Sequence, residues 1–148
     1  MTHPEDQIMD QVLSLLTGLA TTGSNATRGR IRPENPNELP AIGVYLGPDE
    51  PVEPEGGTSF QKLDSDLTVK VIAIVTGKED QLDKKLSQIR REVTVALMAD
   101  ETLGLPFVIV TEEGRAEEPV VDGEGRTFVA YREMSWTVTY RRDRRNPS

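Results

Sequence analysis

The acidic side chains are the first place to look for chemistry. They gather in two runs, Asp49, Glu50, Glu53 and Glu55, then Glu112, Glu113, Glu117 and Glu118. Paired carboxylates do general acid–base work when a shaped, partly apolar pocket holds their pKa values apart. Both runs fall where loops, and therefore solvent, are expected, so a hydrolase built on them is the outlying reading. The single histidine is His3, which leaves no core histidine for a Ser-His-Asp triad or a histidine metal site. The absence of cysteine excludes disulfides, thiol catalysis and zinc–thiolate centres. Asp122-Gly123-Glu124-Gly125 lacks the ligand spacing and closing Glu of a calcium loop and reads as a hairpin turn. Gly56-Gly57-Thr58 is too short for a phosphate loop, with no lysine at the Walker position. Trp136 and Tyr140 would stand on one strand face, where a base-stacking platform competes with the more frequent use, core packing. No catalytic, cofactor-binding or metal-ligating residue is assigned, and no enzyme is expected.

The elements are clearer than any site. Ile8, Val12, Leu15, Leu16 and Leu19 recur at helical spacing after a Thr2–Glu5 capping box with Pro4 in the first turn; Gly23 stops the run. Short strands are expected over residues 26–32 and 41–46, the second ended by Gly47-Pro48. A Pro-, Glu- and Gly-rich segment then predicts a flexible loop at 47–59. Residues 63–75 alternate, with Leu67, Val69, Val71, Ala73 and Val75 on one face and Asp64, Asp66, Thr68 and Lys70 on the other. Leu82, Leu86, Ile89, Val93, Ala96 and Leu97 predict a helix over residues 79–98. Phe107-Val108-Ile109-Val110 reads as a strand apolar on both faces. A last long strand alternates Phe128, Ala130, Met134, Trp136, Val138 and Tyr140, broken only by Arg132. The order predicts one α+β domain over 1–148, a mainly antiparallel sheet with two helices packed on one face. Residues 67–75, the second helix and the strand at Val108 are expected to form a crossover unit.

Bulk composition narrows the partners. A net charge of −8 argues against general affinity for nucleic-acid backbones. No apolar run approaches the ~18 residues of a membrane span. The acidic start has no signal-peptide pattern, so a cytoplasmic protein is expected. One basic cluster, Arg141, Arg142, Arg144 and Arg145, lies in a short C-terminal tail at 141–148 that reads as a solvated end.

Three features favour an interaction protein. Ile72 and Ile74 replace the charges on the polar face of their strand, so that half of it is apolar on both sides. These two residues face either a helix of their own chain or another copy. The 47–59 loop, with Pro51 and Pro54, suits ordering on a partner, and the arginine tail contrasts with an acidic body.

The pattern resembles the tail terminator (minor tail protein U-like) family of long-tailed bacteriophages. The resemblance rests on the N-terminal amphipathic helix, Leu39-Pro40-Ala41-Ile42-Gly43-Val44-Tyr45, a variable acidic loop, Leu67 to Val75, the helix carrying Leu82, Leu86, Ile89 and Val93, and the closing Trp136-Thr137-Val138-Thr139-Tyr140-Arg141. It implies a virion protein without cofactor that forms a ring, typically a hexamer, at the head-proximal end of the tail. Such a ring caps the tube of major tail protein, ends its polymerisation and offers a surface to the head–tail connector or stopper, while DNA passes through without specific binding. A different head–tail joining or tail completion protein and a small α+β binding module remain as alternatives.

Overall fold

Residues 3–29, 39–52, 62–123 and 128–143 are described by a computed structural model of the chain. The first helix, α1, spans Pro4–Leu16, and buries Ile8, Met9, Val12 and Leu16 on one stripe. Its cap is His3, whose Nδ1 accepts from the Glu5 backbone N–H at 3.1 Å. That replaces the cap expected from Thr2, which lies outside the described residues. Proline at the first helical position costs nothing there, because that N–H has no intrahelical acceptor.

The strands are β1 (Ala26–Arg28), β2 (Ala41–Val52), β3 (Lys62–Gly77), β4 (Val108–Ala116), β5 (Val120–Asp122) and β6 (Phe128–Asp143); α2 (Glu79–Met98) joins β3 to β4. Among them the sheet order is β1-β2-β3-β6-β4, with β5 also paired to β6. β1 runs parallel to β2, and every other pairing is antiparallel. The chain-terminal strand β6 therefore sits between β3 and β4. These two are parallel to each other, so the expected crossover forms with β6 inserted through its middle. The fold is α+β, with a mostly antiparallel sheet.

Both helices pack on one face. Leu67, Val69, Val71, Ala73 and Val75 of β3 join Ala130, Met134, Trp136, Val138 and Tyr140 of β6 in a single core with Ile8, Met9, Val12, Leu82, Leu86, Ile89 and Val93 of the helices. Alternation on the strands and three-to-four spacing on the helices are two readings of one buried surface. Arg132, the residue that interrupts this face of β6, sits beside α2 and donates from Nε to the Glu117 carbonyl at 2.8 Å.

Three boundaries differ from expectation. β2 does not stop at Gly47-Pro48; it passes through a bulge between Leu46 and Asp49 and pairs with β3 as far as Val52. The part of the loop expected at 47–52 is thus strand, and 53–59 lies outside the described residues. β1 covers only Ile42, Gly43 and Val44, so beyond them the outer edge of β2 is free of β1, where a proline without N–H breaks no ladder. The basic tail likewise begins as strand: Arg141 and Arg142 pair with Asp64 and Leu63. β4 continues to Ala116 and carries Glu112 and Glu113, both expected in a loop. It lies at the sheet edge, so Val108 is buried whereas Ile109 is exposed, and the expected double burial is absent.

Candidate functional site

The face of the sheet opposite the helices has an apolar end and a polar end. Register places Ala41, Ile74, Tyr131 and Val120 side by side across β2, β3, β6 and β5. Ala41 and Ile74 are each 3% exposed, whereas Tyr131 and Val120 are 37% and 44% exposed. Two residues along, Ile72 lies half-buried between Gly43 and Glu133. Polar pairs then take over. Lys70 Nζ stands 3.1 Å from Glu133 Oε1, Thr139 donates to Asp66 at 2.6 Å, and Arg141 Nε donates to Asp64 at 2.9 Å.

The residues singled out from the sequence do not form one patch. Ile72 and Ile74 point away from both helices, which answers the question of which face they serve. Ile74 is closed off within the chain, so Tyr131 and Val120 carry the exposed apolar surface of its row. Arg141 lies at the far, polar end of the same face, tied to Asp64. Pro51 and Arg142 pair with Ser65 and Leu63, whose side chains belong to the helix-side face. Pro54, Arg144 and Arg145 lie outside the described residues.

A second constellation escaped sequence reasoning. The bulge at Gly47-Pro48 shifts strand parity, so Asp49 stands opposite Leu67 on the helix-side face. There the Tyr140 hydroxyl donates to Asp49 Oδ2 at 2.6 Å. Glu5, in the first turn of α1, faces the same carboxylate. Its pKa is pushed up to about 7, chiefly by a hydrogen bond to Asp49, then by burial and by the charges of Asp49 and Asp6, against the pull of Arg142. The Tyr140 phenol is also raised from 10.0, first by burial and then by its bond to Asp49. A phenol so placed is a donor at ordinary pH. The signal in the sequence was the Gly-Pro pair, which marks an irregularity without saying that the strand resumes with its faces exchanged.

A shallow depression of about 410 Å³ beside α2 is lined by Asp83, Ser87, Glu118, Pro119, Val121 and Arg132. Among the described residues no three histidine or acidic side chains are grouped to hold a metal ion. No described helix is long and apolar enough to cross a membrane. Trp136 and Tyr140 are 1% and 0% exposed, inside the core, so neither is a stacking platform.

The chain matches no family model and no curated protein sequence.

Proposed function

We propose that this chain is a structural assembly protein of the phage tail terminator kind. Six or so copies form a ring that caps the tail tube, ends polymerisation of the major tail protein and presents the surface on which the head–tail connector or stopper docks. Its place is then the head-proximal end of the virion tail, after assembly in the host cytoplasm. The observation that carries this reading is the row Ala41–Ile74–Tyr131–Val120. It crosses a sheet face that neither helix covers, and its outer half is exposed.

A ring needs two different patches that meet head to tail. An apolar end of a sheet face supplies one patch of limited size, and the acidic body disfavours non-specific sticking to DNA passing through the lumen. The edge strand β4 is a poorer candidate. Bulges between Val108 and Val110 and between Glu113 and Ala116, together with Glu112 and Arg115, blunt it against open-ended pairing.

Negative-stain imaging of the purified protein, alone and mixed with tail tubes, tests the proposal. Rings, or rings seated on one end of each tube, support it. A protein that stays monomeric and leaves both tube ends bare overturns it.

A further inference from the structure

The first turn of α1 meets the end of β2 through groups that cannot all be satisfied as charged species. One oxygen of Asp49 receives the Tyr140 hydroxyl at 2.6 Å. The other, Oδ1, is buried and receives no donor from the described groups. A buried carboxylate oxygen without a donor is costly, and Glu5, which hydrogen-bonds to this carboxylate, can donate only when it carries a proton.

We propose that Glu5 holds a proton that bridges it to Asp49, a clasp that fastens the start of α1 to β2, and that this clasp opens as the solution becomes alkaline. Charges on α1 and β6 act on Glu5. α1 brings Asp6, which raises the proton affinity of Glu5 and is itself held by Arg28 of β1 at 2.8 Å. β6 brings Arg142, which opposes protonation, and Tyr140, whose phenol keeps its proton and stays a fixed donor. β3 lies behind with Ser65 and Leu67, neither charged.

The sign follows from the direction of the Glu5 shift. Its folded-state pKa, about 7, lies above the ordinary 4.5. The stability this group confers is therefore fully present below pH 4.5 and is lost as pH rises through 7. Above that, two carboxylates face each other across one contact, and repulsion loosens the helix start. Ile8, Met9, Val12 and Leu16 keep the rest of the helix in the core, so opening is local.

Carboxyl-detected NMR titration of the full chain, combined with amide hydrogen exchange over α1, tests the clasp. The Glu5 carboxyl is expected to titrate close to neutrality in the natural protein and to return to the ordinary range in Asp49→Asn. Protection of the first α1 turn, corrected for the intrinsic exchange rate, is expected to fall about tenfold from pH 5.5 to 8.5. Glu5→Gln, whose amide donates at every pH, is expected to stay protected throughout. Titration of Glu5 near 4.5, or an undiminished pH dependence in Glu5→Gln, overturns the proposal.

Discussion

The backbone oxygen of Thr68 stands so close to Gly47 that a Cβ added at residue 47 would lie 2.9 Å from it, with the Thr68 side chain at 3.0 Å. Glycine is required here because two backbones approach, at the bulge that turns Asp49 toward Tyr140. Gly47→Ala is expected to destabilise the fold by about 1–3 kcal/mol, as overpacking against a backbone atom does. Chemical denaturation measures this, and a neutral substitution contradicts the close approach.

Glu92 anchors the segment after α1 to α2. Its Oε1 accepts from the Thr21 backbone N–H at 2.8 Å, and its Oε2 accepts from the Thr21 hydroxyl and from Gln88 at 3.0 Å. Burial works to raise the Glu92 carboxyl, but these bonds together hold it below 4.5. With a depressed folded value, the stability it gives is present above pH 4.5 and lost as pH falls from there through the lower folded value. Glu92→Gln is expected to lower the melting temperature at pH 7 and to have little effect at pH 3. The side chain is only partly buried, so solvent screening holds the difference to less than about 1 kcal/mol. Thermal melts at the two pH values decide the matter.

Trp136 is the only tryptophan, and it is 1% exposed. Its fluorescence is expected to be blue-shifted, resistant to iodide and unchanged when single-stranded nucleic acid is added. Trp136→Ala is expected to cost about 3–5 kcal/mol. A quenchable emission would contradict its place in the core.

Ile74 and Ile72 are expected to part company when each is changed to glutamate. Ile74→Glu places a charge at a site 3% exposed and is expected to cost more than about 3 kcal/mol, seen as loss of cooperative melting. Ile72→Glu and Tyr131→Glu, at more open positions of the same face, are expected to keep the fold and weaken assembly. Circular dichroism and light scattering on the same samples separate the two effects.

Periodicity made the core legible. Glu79–Met98 appears as a helix over the residues that the spacing of Leu82, Leu86, Ile89 and Val93 indicates, and β3 and β6 alternate as their side chains do. The insertion of β6 between β3 and β4 was not legible, since pairing across some 70 residues leaves no local trace. Nor was the Glu5–Asp49–Tyr140 cluster, which brings together three elements and depends on one bulge. The arginines at 141 and 142 read as a solvated end because nothing near them in sequence announces Asp64 as a cross-strand neighbour. Ile72 and Ile74 share one face of β3, but their unequal burial follows from the neighbouring strands rather than from their own.

The mass of the purified protein in solution tests the central claim most directly. Light scattering is expected to find a particle of about six times the 16.4 kDa chain, reduced to the single-chain mass by Tyr131→Glu. A single-chain mass for the natural sequence at every concentration, with no association on added tail tubes, would contradict assembly as this protein's role.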